Sequence, residues 1–354
     1  MKMLATGRQA ALAAITAAGM ILSPAIAHAQ RSLEGQQVVL YTSGGTQLET
    51  TRELVIKPFE QETGAKVVID DSCCARLQAA MEARQYVGDV LIGVDRAALM
   101  ARDDRGFFIH DPRLEEIARE RGSPDPLPSK AMVILNLYSY VIAAKNETLP
   151  LPRSWIEFWD TQRFPGSRGL NRTVPQVQVE AALLADGVPA DKLYPLDVPR
   201  ALKKLSELRD KTKLILNASG ADQINNLGTG ETDYAVTYSN RAYLAKRDGI
   251  KINFSFADGF IAGNGGAILR GSKNVDGAVA LLRYHMRPEV LARFAERTGM
   301  SPAYKASADM IEPQYRALMA TTPENLQLQH MLNDEYWQKN LTSVAEKWIG
   351  WSAQ

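Results

Sequence analysis

Val38-Val39-Leu40-Tyr41-Thr42-Ser43-Gly44-Gly45-Thr46 decides the fold class. Five apolar or β-branched residues in a row read as a buried strand, the two glycines as a turn, and Thr46 with Glu49 three residues on as a capping box that opens a helix. Outward from this strand-turn-helix unit the pattern repeats. Pro58 reads as the first residue of a second helical turn ending at Gly64, Lys66 to Asp70 as another strand, and Cys73 to Gln85 as a helix. A strand at Asp89 to Ile92 and a helix from Arg96 follow. Such βαβ alternation places helices over a mostly parallel sheet, an α/β fold.

Beyond a loop marked by Pro124, Pro126 and Pro128, the apolar run from Met132 to Ala144 is long enough for one or two strands. Ser154 and Glu157 form a second capping box, and Val198, Ala201, Leu202, Leu205 and Leu208 recur at helical spacing, predicting an amphipathic helix over Val198–Arg209. Leu214-Ile215-Leu216, Tyr234-Ala235-Val236, Ile252-Asn253-Phe254 and Ala267-Ile268-Leu269 read as strands. From Asn274 the chain turns mainly helical, with Val275, Ala278, Leu282 and Met286 on one face.

The 354 residues carry 41 Lys+Arg against 40 Asp+Glu, 45% hydrophobic residues and two cysteines. That composition excludes disorder, collagen and a disulfide-stapled miniature, and its mixed charges leave no footprint for nucleic acid. The length suggests two domains, since single cores stop growing near about 250–300 residues. Lys2 and Arg8, the apolar stretch Ala10 to Leu22, Pro24 and Ala27-His28-Ala29 read as a secretory signal over 1–29, with a mature chain from Gln30. The apolar core is too short to span about 30 Å of hydrocarbon, and Gln30 is not the cysteine a lipid anchor needs. A freely soluble periplasmic protein is therefore expected, with 39 basic and 40 acidic residues after Lys2 and Arg8 are removed.

Catalytic signatures are missing from the sequence: no G-x-S-x-G elbow, no H-E-x-x-H, no Walker loop and no strand-bound G-x-G-x-x-G. His110, His285 and His330 remain after export, and the latter two sit in helical patterns beside apolar neighbours. Neither a metal site nor a cofactor is expected. Cys73-Cys74 leaves two readings open: a strained vicinal disulfide, or two thiols packed as small apolar residues.

The order of motifs resembles a transport family. Val39-Leu40-Tyr41-Thr42-Ser43-Gly44-Gly45, Phe59-Glu60-Gln61-Glu62-Thr63-Gly64-Ala65-Lys66-Val67 and Gly88-Asp89-Val90-Leu91 are similar to the opening of bacterial periplasmic solute-binding proteins of the spermidine/putrescine-binding type. Ser154-Trp155 through Trp159-Asp160, Gly228-Thr229-Gly230-Glu231-Thr232-Asp233, Asn240-Arg241-Ala242 and Trp348-Ile349-Gly350-Trp351 extend the resemblance along the mature chain. It implies a two-lobed periplasmic binding protein fold that closes on a small solute and delivers it to an ABC permease. Lobe 1 would take 30–137 with 258–315 and lobe 2 would take 138–257, the C-terminal helices over 316–354 packing across or onto lobe 2. A monomer is expected.

Ligands in open α/β sheets bind beyond the carboxyl ends of strands, which directs attention to the loops after Thr42, Asp70, Ile92 and Val236. Ser43, Gly44, Gly45 and Thr46 lie before a capped helix, where backbone N–H groups receive an anionic group; the alternative is a tight turn that needs glycine for its geometry. The resemblance adds Ser72 and Cys73 on a cleft-lining loop. Asp95 follows the third strand, Tyr138 and Ser139 fall where the chain crosses between lobes, and Tyr238 and Arg241 follow Val236. Arg241 is the principal candidate, because a guanidinium grips a carboxylate or phosphonate with two parallel hydrogen bonds; the alternative is an ordinary interlobe or surface arginine. Polyamine-binding relatives carry an acid where this chain has Asn264, and the usual tryptophan is absent; Asp258 lies upstream to compensate. The ligand expected is thus an acid or amino-acid-like solute rather than a plain polyamine. Two other classes stay open: an exported lyase or hydrolase using Asp258 or Glu231 as base, and a subunit presenting solute to a membrane sensor.

Overall fold

The computed structural model describes residues 33–42, 44–71, 75–85, 88–122 and 130–354, the side chains of 75 and 76 excepted. The expected signal over 1–29, Ser43, Ser72, the Cys73-Cys74 pair and the proline loop lie outside the described residues.

Among the described residues ten strands form one continuous sheet: β1 (Gln37–Tyr41), β2 (Lys66–Asp70), β3 (Val90–Asp95), β4 (Met132–Ala144), β5 (Arg168–Asn171), β6 (Leu214–Asn217), β7 (Tyr234–Tyr238), β8 (Asn253–Ile268), β9 (Ser301–Pro302) and β10 (His330–Met331). The spine order is β2-β1-β3-β8-β4-β7-β5-β6, with β9 beside β4 and β10 beside β8. β4 and β8 are long enough to serve both lobes. Their first and last halves pair with β3 and β9 in one lobe and with β10 and β7 in the other. The one or two strands expected over Met132 to Ala144 are a single strand, all thirteen residues buried, as a continuous apolar run predicts for a strand covered on both faces. The separate strands expected at 252–254 and 267–269 merge into the sixteen-residue β8. The expected lobe junctions at 137/138 and 257/258 fall inside these two strands.

In each lobe the parallel strands end at the middle of the sheet. Asp95 closes β3 opposite Asn264, and Tyr238 closes β7 opposite Tyr140. Both sets of carboxyl ends, with the helices that start there, converge on the crossing strands. The helix Asp334–Ser352 buries Trp337, Val344, Trp348 and Trp351 in the second lobe's core, and it reaches the first lobe through Arg96 and Asp334, 2.7 Å apart.

Three local expectations need correction. Thr46 is the first helical residue, and the cap is Gly45, with φ 72° and no side-chain hydrogen bond, so the expected Thr46–Glu49 box does not form. The rod does not break at Pro58. A proline lacks the N–H its helix needs and crowds the carbonyl four residues back, and a π-turn at Arg52–Ile56 takes up that mismatch. His330 lies in β10, not in a helix. The second box forms with one shift: Ser154 Oγ accepts from the Glu157 N–H at 3.1 Å, while Glu157 Oε2 accepts at 2.7 Å from the N–H of Arg153, one residue before the cap.

Candidate functional site

Between the lobes lies a cavity of about 480 Å³ where three helical segments begin. Gly44, Gly45, Thr46 and Gln47 bring the first, Gly220 the second, and Asn240 and Arg241 the third. Each start leaves unpaired N–H groups and the positive end of a helix dipole directed at the same space, a field that favours an anion. Gly45 has the φ of 72° that side-chain-bearing residues rarely adopt, as a tight turn requires, and it also lines the cavity.

Arg241 stands at the mouth with an exposed side chain. It lies across Gly220: a Cβ added there would sit 2.4 Å from Arg241 Nε and 2.7 Å from Cδ. Glycine at 220 is what lets the guanidinium lie flat. Among the described residues no carboxylate pairs with Arg241 and nothing accepts a hydrogen bond from it, so its five donors face the cavity or water.

The inner end is different. Tyr138, Tyr238 and Asn264 line it, and Tyr140 packs behind them, with ring centroids 5.7 Å apart for Tyr138 and Tyr140, 5.8 Å for Tyr138 and Tyr238, and 4.9 Å for Tyr140 and Tyr238. Burial raises all three phenols above their ordinary range, so they stay neutral. Asp95 pairs across the strands with Asn264 and keeps part of its surface open, its Oδ1 accepting from the Ala98 N–H at 3.3 Å. Burial, with Asp334 nearby, pushes the Asp95 carboxyl up to about 6. Asp95 is not itself among the residues that line the cavity; it stands one strand from Asn264, which does.

Two expected site residues are engaged elsewhere. Ser139 is fully buried, pointing away from its neighbours Tyr138 and Tyr140 by strand alternation. Its N–H donates to Ser239 Oγ at 3.0 Å and its hydroxyl to Gln329 Oε1, which ties β4 to the helix carrying Arg241. Asp258, at φ 60°, does not line the cavity and does not compensate for Asn264. Its Oδ2 accepts from the Trp155 N–H at 2.7 Å and its Oδ1 meets His330 Nε2 at 2.6 Å. Glu231, the other acid considered as a base, is exposed and paired with Lys213 at 2.5 Å. Of the residues lining the cavity, sequence reasoning missed Gln47, Gly220, Asn240, Leu244, Thr298 and Met300. Gln47, next to Thr46, and Asn240, next to Arg241, carried a positional signal.

Among the described residues no group of three His, Cys, Asp or Glu is arranged to hold a metal, and no helix is long and apolar enough to cross a membrane.

A solved GABA receptor is 27% identical, with a TM-score of 0.81 over 90% of this chain and 98% of its own. A solved ABC transporter substrate-binding protein from Bradyrhizobium japonicum is 26% identical, TM-score 0.82, over 90% and 99%. A gamma-aminobutyric acid-binding protein of Pseudomonas aeruginosa is 26% identical over 332 residues, 91% of this chain and 92% of that one. Residues 55–321 match the family described as bacterial extracellular solute-binding protein. With its two-lobed fold and its cleft at the crossing strands, the chain belongs to the bacterial extracellular solute-binding proteins.

Proposed function

We propose that this substrate-binding protein captures a zwitterionic ω-amino acid of the 4-aminobutanoate type in the periplasm and hands it to an ABC permease. The observation that carries the reading is Arg241, a guanidinium in the cleft without a carboxylate partner among the described residues, facing three helix starts. A ligand carboxylate completes it with paired, charge-assisted hydrogen bonds. The ammonium belongs at the other end, against the faces of Tyr138 and Tyr238 and toward Asp95, where ring quadrupoles and one carboxylate replace its water. An acid-only solute leaves Asp95 uncompensated, and a diamine leaves Arg241 facing a like charge. Two relatives named for this amino acid support the same class. Lobe closure about β4 and β8 removes the ligand from water, and export through a cleaved 1–29 signal supplies the location.

Titration calorimetry of the mature protein with 4-aminobutanoate, butanoate and 1,4-diaminobutane tests this. The amino acid is expected to bind tightest, each truncated analogue losing roughly 10- to 100-fold, since hydrogen bonds to charged groups contribute about 1.5–3 kcal/mol. Tightest binding of the diamine overturns the assignment of Arg241.

A further inference from the structure

Each lobe lays one long polar side chain across a glycine at the cleft. In the second lobe it is Arg241 over Gly220; in the first it is Gln47 over Gly93, where an added Cβ would sit 2.9 Å from Gln47 Nε2 and 3.7 Å from Cδ. Gly93 is the extra residue of a β-bulge. β3 pairs with β8 at Ile92 and again at Val94, the register shifts between them, and Gly93 takes φ 76°. A side chain at 93 would strain that backbone and push the Gln47 amide away, so bulge and glycine together make a seat for it. The other end of the residue is anchored too, the Gln47 carbonyl accepting from Thr51 Oγ1 at 2.8 Å.

The seat decides which end of the cleft Gln47 serves. Gly93 stands two residues before Asp95, so their Cα atoms are at most about 7 Å apart, and Asp95 closes β3 opposite Asn264 at the inner end. Asp95 does not line the cavity, whereas Gln47 does. The Gln47 side chain is half-buried yet open to the cavity, and among the described residues nothing hydrogen-bonds its amide. Nε2 is the amide atom nearer Gly93, which leaves Oε1, an acceptor, as the outer one. A ligand ammonium carries three N–H donors, and the faces of Tyr138 and Tyr238 attract its charge without fixing the direction of any of them.

We infer, resting on the amino-acid function proposed above, that Gln47 is the specificity-determining residue for the ligand's amine, its Oε1 accepting a hydrogen bond from the ammonium. The neutral amide gives the contact its direction, and the Asp95 carboxylate one strand from Asn264 supplies the opposite charge. Gly93 is a positioning residue that keeps the amide at this end.

Calorimetry of the mature protein with 4-aminobutanoate, 1,4-diaminobutane and butanoate, in the parent and in two variants, tests the role. Gln47→Leu removes both polar atoms at similar size; it is expected to weaken the two amines roughly tenfold and to leave butanoate, which has no ammonium, within about twofold. Gln47→Glu keeps the shape and adds a negative charge, so it is expected to tighten the diamine roughly tenfold. Ligand-free melting temperatures control for folding, since the side chain makes no hydrogen bond to the described residues. Unchanged amine binding in Gln47→Leu, an equal loss for butanoate, or a weaker diamine in Gln47→Glu each overturns the assignment. Failure of the amino-acid function shows differently, as tightest binding of butanoate or the diamine by the parent, and the Gln47 effect is still read there because it follows the ammonium on either amine.

Discussion

The two ends of the cleft hold charge by different means. At the mouth, Arg241 is exposed and set among helix starts, so its charge costs little to keep and water competes for it. At the inner end, Asp95 sits beside buried phenols, and burial has raised its carboxyl to about 6 from the ordinary 3.8. The mouth offers directional hydrogen bonds, while the inner end offers a desolvated counter-charge. On the function proposed above, the ligand's acid end is chosen by geometry and its amine end by desolvation, so the two ends respond to different perturbations.

The most severe test is Arg241→Ala, which should weaken 4-aminobutanoate roughly 100-fold through loss of two charge-assisted hydrogen bonds. Its ligand-free melting temperature should stay within a degree or so of the parent, because no described residue relies on Arg241 for an ion pair. Calorimetry and a thermal scan separate the two effects, and unchanged affinity breaks the comparison at its mouth.

Asp95→Asn should cost less, roughly tenfold, and should change how binding follows pH. In the parent, affinity falls as pH drops below about 6 and Asp95 takes up its proton; the variant should lose that dependence. Stability runs the other way. A carboxyl raised to about 6 from 3.8 contributes stability that is full below about 3.8 and lost as pH rises through about 6. Denaturant midpoints between pH 4 and pH 7 should show that component in the parent and not in Asp95→Asn.

Gly220→Ala should have the smallest effect, roughly fivefold weaker binding, because the methyl meets the Arg241 side chain and, at 3.0 Å, the Tyr238 ring rather than backbone. Alanine is also the better helix former, by about 1 kcal/mol, so ligand-free stability should hold or rise. Lower affinity with undiminished stability would mark Gly220 as a positioning residue for the guanidinium.

Much of this arrangement was legible in the chain. Gly44, Gly45, Thr46, Tyr238 and Arg241 were readable because each follows an apolar strand run, and Tyr138 and Asn264 through the family resemblance; all line the cavity. Gly220 was not, since its requirement comes from a side chain twenty-one residues away that passes over it. Thr298 and Met300 arrive at the end of a helix from a distant part of the chain. Asp258 misled for the opposite reason: an acid near the right place in sequence, but in a backbone turned to φ 60°, whose oxygens fasten Trp155 and His330. Ser139 differs from Tyr138 by one residue, which in a strand is the difference between the two faces.

The crossing of β4 and β8 also has a consequence for how the chain acquires its shape. Met132 pairs with Ala267 and Ala144 with Asn253, so the spine of both lobes joins residues 135 and 109 positions apart. Neither lobe's sheet is complete until Ile268 has left the ribosome, and pairing of such high contact order forms slowly. The nascent chain therefore cannot complete either sheet until most of it has been synthesised, a schedule that suits the export proposed above.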